Sequence, residues 1–266
     1  MPPPHVYRTE GVVLRQRRLG DADKICVLFT PRLGRIEVVA KGLRRPRSKL
    51  AGHLEPLTRT SLVIATGRNL DLVTQAEAIQ PFADLHDDVD RLSRGLYIAE
   101  LVDRFTDSTT DVGGLYPLFL EALVRLDRQD GLDLVVRWFE MRLLIDQGYQ
   151  PQLHLCIQCE SVLQEQDNAF APLLGGVLCP NCRLEQPGRP LSGTALKLLR
   201  FLQTASYNDI ARVRIDDSLG SEIETHLRDC VEVALDQEVK AAGFVDDVRA
   251  TRRASAGSQS GPPRGK

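Results

Sequence analysis

The chain has 266 residues, of which 42% are hydrophobic but only 5% aromatic, and a net charge of −2; that is enough for two or three small cores packed mainly from aliphatic side chains. No run approaches the ~20 apolar residues of a membrane helix. Met1-Pro-Pro-Pro-His5 also lacks the charged region and apolar stretch of a secretory leader, so a cytoplasmic location is expected.

The near-neutral total conceals a segregation of charge. Residues 1–82 carry a net +7, residues 83–248 a net −14 and residues 249–266 a net +5. A basic end on an acidic body directs that end toward a polyanion.

From Val6 to about Gln80 the pattern is that of short strands. Gly11-Val-Val-Leu14, Lys24–Thr30 and Arg35–Lys41 are rich in β-branched residues, and Leu33-Gly34 turns the chain between the last two. Thr60–Thr66 and Asn69–Gln75 flank Gly67-Arg68, a hairpin signal. Five strands in about 80 residues are most economically closed into an OB-type β-barrel, because closure removes exposed edges.

After Pro81 the period becomes helical. Leu92, Leu96, Ala99 and Val102 form one apolar stripe, Leu118 to Leu126 a second, and Leu134 to Ile145 a third that Gly148 ends. Ser192 is placed to cap a helix running through Leu202, and Ile223 to Val239 forms another. From Arg249 the chain is rich in Ser, Gly, Pro and Arg, the composition of disorder. The expected fold class is α+β and multidomain. It comprises a five-stranded OB-type barrel over 1–82 and a mainly α-helical domain over 83–248. That domain carries a four-cysteine, zinc-ribbon-like insertion at 150–190, and a disordered basic tail follows over 249–266.

The insertion carries Cys156-x2-Cys159-x19-Cys179-x2-Cys182. Each Cys-x-x-Cys turn places two thiolates on one side of a tight knuckle, and two knuckles complete a tetrahedron. Gly175-Gly176 between them can turn the hairpin that brings the second knuckle to the first. Four cysteines fill the shell and leave no position for water, so one structural Zn2+ is expected. Cys26 and Cys230 lie on apolar faces and read as packing residues.

Lys41-Gly-Leu-Arg-Arg-Pro-Arg-Ser-Lys49 places five cations in nine residues. With Arg15, Arg17, Arg18, Lys24 and Arg35, the residues Lys41, Arg44, Arg45, Arg47 and Lys49 are the candidate DNA contacts. They would neutralise phosphates and give salt-dependent, largely sequence-independent affinity. Tyr7, Phe29 and Phe82 are the barrel's few aromatics, with Phe29 expected in the core, so base stacking should contribute little.

The Lys41–Ser48 segment resembles the RecO family of recombinational DNA-repair proteins. So do Leu54-Glu-Pro-Leu57, Gly67-Arg68, Ala76-Glu77, Tyr97–Leu101, Leu115–Phe119, Arg137–Leu144 and Gly148-Tyr-x-Pro151. The likeness runs from about Tyr7 to Val245. It implies an OB-fold, a helical domain and a zinc knob that some members lack. It also implies binding of single- and double-stranded DNA, annealing of complementary strands, and RecA loading with RecR and often RecF. In some members the acidic, apolar C-terminal tip of single-strand-binding protein docks on the helical domain, where Arg125, Arg128, Arg137 and Arg142 are candidates here.

Two other classes stay open on the sequence. A metal-dependent nuclease would need the Asp21/Asp23 or Asp87/Asp88/Asp90 groups, although the latter sits where acids cap a helix. There is no phosphate-binding loop and no nucleophile–base pair, so no catalytic residue is assigned. A protein-binding adaptor would use the acidic body instead.

Overall fold

Alternation of inward apolar and outward polar residues sets the first five strands. The computed structural model describes residues 5–107, 113–128, 131–236 and 239–257. Strands β1 (Val6–Leu19), β2 (Asp23–Thr30), β3 (Gly34–Ala40), β4 (Arg59–Ala65) and β5 (Asp71–Gln80) close in the order β1-β2-β3-β5-β4. All pairings are antiparallel except β3 with β5, where Val38 lies beside Asp71. This is the expected OB-type barrel. Val13, Cys26, Leu28, Val38, Leu62, Ile64 and Val73 fill it, and each large aliphatic side chain so buried contributes ~1.5–3 kcal/mol.

The connection from β3 to β4 contains one 3-10 turn, Ala51–His53. Leu43, Leu50, Ala51 and Leu54 of this connection pack into the barrel core. They seal that end of the barrel and hold the basic residues between them outside it.

The outer face of β2 is also apolar. Ile25, Val27 and Phe29 are buried, and the Phe29 ring lies 5.7 Å from Tyr116 and 6.2 Å from Phe119. Helices α1 (Ala83–Asp87), α2 (Val89–Phe105) and α3 (Leu115–Arg128) follow the barrel. Asp88 caps α2 by accepting from the Asp90 and Arg91 N–H groups, at 2.8 and 3.2 Å, which is the capping role expected for these acids.

A second unit begins with α4 (Leu132–Asp146). Strands β6 (Asn168–Ala171), β7 (Gly176–Leu178) and β8 (Arg189–Leu191) form a sheet in the order β7-β6-β8, and α5 (Gly193–Thr204), α6 (Tyr207–Ile210) and α7 (Asp217–Leu235) complete the unit. Ser192 caps α5 as expected, accepting from the Ala195 N–H at 3.1 Å. The helix expected over Ile223–Val239 instead starts at Asp217, capped by Asp216, and stops at Asp236, which is left-handed with φ 51°.

Helix α8 (Lys240–Gly257) returns to the first unit. By its contacts the first compact unit holds the barrel, α1–α3 and α8. One expectation is corrected here. The tail from residue 249 is helical through Gly257, and residues 258–266 lie outside the described residues. Val239, Ala242 and Val245 recur at helical spacing and are buried, α8 packs on α2, and Arg252 pairs with Asp90. A packed stripe thus overrides the loop-like composition.

Candidate nucleic-acid interface and metal centre

The basic loop is anchored at its base. The Asp23 carboxylate accepts from the Gly42 N–H at 2.7 Å, where Gly42 takes the left-handed φ of 66° that glycine tolerates. The Arg44 N–H donates to the Ala22 carbonyl at 3.0 Å, and its guanidinium donates to the Asp21 carbonyl at 2.8 Å. Gln16 reaches the Leu54 carbonyl, and Lys24 donates to Gln16 at 2.5 Å. The Asp21/Asp23 pair therefore organises the loop.

The structure divides the ten candidate cations into three groups. Arg18, Lys41, Arg44, Arg45, Arg47 and Lys49 are exposed, and none forms an ion pair with a carboxylate among the described residues. Lys24 is half-buried at the barrel mouth and serves the Gln16 anchor.

The remaining three are paired. Arg15 and Arg35 both donate to Asp103 of α2, at 2.5 and 2.6 Å. Arg17 and Arg35 donate to Glu37, at 2.8 and 3.0 Å. The Arg17 hydrogen bond is the largest influence on Glu37 and, with Arg35, holds its carboxyl below the usual value against the opposing effect of burial. Burial disfavours the Arg35 charge, but Asp103 and then Glu37 outweigh it. Asp103 is a partner that sequence reasoning had no means of finding, since a helix residue 88 positions from Arg15 has no visible register with it. Glu37 was legible, because it shares the outward alternation of Arg35.

The three aromatics offer no stacking platform. Phe29 and Phe82 are buried, and half-buried Tyr7 donates its hydroxyl to Asp71 at 2.7 Å.

The four cysteines of the knob converge. Their sulfurs all lie within 4.8 Å of one another, and Cys159 Sγ is 3.8 Å from Cys179 Sγ. That separation matches the ~3.8 Å edge of a tetrahedron with metal–sulfur bonds of ~2.3 Å. Among the described residues they are the only group of three or more such side chains.

Backbone geometry builds each knuckle. The Glu160 N–H closes the first turn on the Cys156 carbonyl at 2.9 Å, and the Arg183 N–H closes the second on the Cys179 carbonyl at 3.0 Å. Burial disfavours a Cys156 thiolate, but the backbone N–H groups of Cys159, Cys179 and Gln158 outweigh it and lower its pKa. The Ser161 hydroxyl and N–H lead in bringing Cys159 down to about 6. Cys182 moves the other way, raised first by its hydrogen bond to Cys159 and then by burial, with the Cys156 charge contributing least. A group that prepares two thiolates and crowds four sulfurs around one point fits one thiophilic metal ion.

Several of the other acids and arginines singled out in the sequence have structural partners. Asp90 pairs with Arg94 at 3.2 Å and with Arg252. Arg137 is buried beside Glu140 at 3.1 Å, Arg142 donates to the Gln203 and Ala205 carbonyls at 2.9 and 2.5 Å, and Arg125 binds Glu121 at 2.5 Å. Arg128 is exposed at the end of α3.

Two family models match most of this chain. The family model for the recombination protein O N terminal covers residues 4–82, and that for the recombination protein O C terminal covers residues 86–242. The chain belongs to the RecO family. The DNA repair protein RecO of Roseiflexus sp. (strain RS-1) is 39% identical over 251 residues, covering 94% of this chain and 88% of that relative. RecO of Dehalococcoides mccartyi (strain ATCC BAA-2100) is 35% identical over 94% of this chain and 98% of its own length. RecO of Symbiobacterium thermophilum is 34% identical over 93% and 99%. The RecO relatives thus share the barrel and helical regions together, not one module alone.

Proposed function

We propose that the chain is a recombinational DNA-repair mediator that binds single- and double-stranded DNA and anneals complementary strands. The observation that carries this reading is the anchored loop of exposed, unpaired cations on a closed barrel, in a chain of the RecO family. Two strands repel through their phosphates. A cationic loop screens that repulsion and lowers the cost of bringing them together. Base pairing then supplies the free energy, so the work needs no catalytic residue. With no exposed aromatic among Tyr7, Phe29 and Phe82, recognition rests on the backbone and carries little base preference.

In this reading the mediator loads RecA with RecR, and with RecF where it takes part, at the nucleoid in the cytoplasm. The acidic, apolar tip of single-strand-binding protein docks on the helices. Arg128 is the best-placed of the four candidate arginines, since the other three already hold partners. The knob holds one Zn2+ in a structural role, four thiolates leaving no open position.

The test is strand annealing and fluorescence anisotropy on the variant Arg45→Glu/Arg47→Glu/Lys49→Glu, which spares Arg44 because that residue braces the loop. Annealing at moderate salt is expected to fall at least ~10-fold with an unchanged melting temperature, since three phosphate contacts become repulsions. Full annealing by the folded variant rejects the proposal.

A further inference from the structure

The face of the barrel that OB-folds commonly use for nucleic acid is formed by strands 2 and 3, and here that face is covered. Phe29 lies under Tyr116 and Phe119 of α3. Val27 and Ile25 are buried in the same outward row. On this face Arg15, Arg17 and Arg35 are held by Glu37 and Asp103.

The arginines reach this face through a bulge. Val13 pairs with Leu28 and faces the core, whereas Arg15 pairs with Val27 after a register shift. Were Leu14 paired in regular alternation, Arg15 and Arg17 would face inward like Val13. The bulge therefore re-aims both side chains to the outside. They stand two residues apart on one strand, about 6.6 Å, comparable to the phosphate spacing of an extended single strand. Arg18 follows on the opposite face of the strand, at the mouth of the barrel where the basic loop begins.

The pairing leaves Arg15 and Arg17 accessible. Their side chains are 44% and 51% exposed, whereas Asp103 and Glu37 are 13% and 25% exposed. The carboxylates sit beneath and the guanidinium groups above.

We propose that Arg15 and Arg17 form a masked second contact for a single-stranded phosphate backbone, which engages when phosphates replace the Asp103 and Glu37 carboxylates as the arginines' partners. The first contact is the free basic loop, which captures a strand without displacing anything. The masked row then extends the grip along β1. Exchange of one anion for another leaves the arginines paired in both states, so binding there is reversible and sensitive to salt. Asp103 also joins β1 and β3 to α2, so strand engagement loosens the contact between barrel and helix.

This inference rests on the DNA-binding reading above. The experiment measures single-stranded DNA affinity by anisotropy across a salt series for the full chain and for Asp103→Asn and Glu37→Gln, with melting temperature as a check on folding. Each substitution is expected to raise affinity about three-fold or more at low salt, with the gain shrinking as salt rises. Adding Arg15→Gln to Asp103→Asn, or Arg17→Gln to Glu37→Gln, should cancel the gain. If Asp103→Asn does not fold, Glu37→Gln decides alone, because it leaves the Asp103 link to α2 intact. Unchanged or reduced affinity in the folded variants overturns the masked contact, as does a gain that survives loss of the arginine. If wild type binds DNA through the basic loop but neither variant changes affinity, only this inference fails. If wild type binds no DNA at any salt, the functional reading itself fails.

Discussion

His226 shows how one side chain reports on the packing of its unit. It lies 2% exposed on α7, with its ring 4.9 Å from that of Phe170. Burial leads in lowering its pKa from the ordinary value, with Arg189 reinforcing the effect and Glu222 and Asp229 opposing it. The folded protein therefore favours neutral imidazole, while the unfolded chain protonates at ~6.5. Its stabilising effect is complete above that pH and is lost as pH falls from ~6.5 toward the folded value, because the unfolded state then binds more protons. Thermal melts between pH 7.5 and 5.5 should show wild type losing melting temperature more steeply than His226→Gln. Equal slopes for the two proteins would place the pH sensitivity elsewhere. Cys26 and Cys230 invite a second measurement at this scale. Burial pushes their thiols up to about 11 and about 12, so both should resist alkylation at neutral pH in the folded chain. In the metal-free protein, exposed Cys159 should label first, since its thiol is drawn down to about 6. Labelling of Cys26 or Cys230 ahead of Cys159 would contradict this order.

Among the elements, the metal knob depends on a close approach of backbone. Hairpin β6–β7 docks on the first knuckle through Gln152 N–H to Gly175 O at 2.9 Å and Ile157 N–H to Val177 O at 3.0 Å. A Cβ on Gly176 would stand 2.5 Å from the Gln152 carbonyl oxygen and 2.8 Å from an Ile157 methyl. Gly176→Ala should cost ~1–3 kcal/mol by overpacking and weaken metal retention, whereas Gly175→Asn should be milder because Asn tolerates the left-handed φ of 79° found there. Cys156→Ser should lower the melting temperature and expose residues 150–190 to protease, yet leave DNA affinity within about two-fold, since folding and metal binding are coupled locally. Loss of DNA binding with the fold preserved would move the working surface onto the knob. These elements were legible to different degrees for physical reasons. The cysteine spacing, the glycine turn and the Ser192 cap are local signals, and each appears where the sequence placed it. Short β8 and α6 carry too few residues for a period to register. Helix α8 was hidden because its stripe of Val239, Ala242 and Val245 acquires meaning only against α2, a partner about 150 residues earlier in the chain.

At the scale of the whole molecule, charge decides how the proposed DNA binding should respond to salt. A net +7 over residues 1–82 suggests a broadly attractive barrel, but the structure narrows it. Three arginines are held by two carboxylates, and Lys24 braces the loop. Among the candidate contacts the unpaired set is Arg18, Lys41, Arg44, Arg45, Arg47 and Lys49. If all six met phosphates, log affinity would fall with log salt at a slope of about −4 for single strands and about −5 for duplex. The −14 over residues 83–248 repels DNA over the Debye length of ~10 Å at 0.1 M salt. It therefore weakens low-salt binding and flattens the slope further. The expected outcome is a single-strand slope no steeper than about −4 for the loop together with Arg18, reduced by about 0.7 for each phosphate contact removed. Titrations of a 20-nucleotide strand from 50 to 300 mM salt check this, with Arg45→Glu/Arg47→Glu/Lys49→Glu as the reference. A slope well beyond −4 in wild type requires more cations than the loop supplies, and β1 offers the nearest ones in Arg15 and Arg17. A steep slope that survives reversal of the loop charges would instead place the principal contact outside the barrel, most directly on the cations of α8 that follow Asp247.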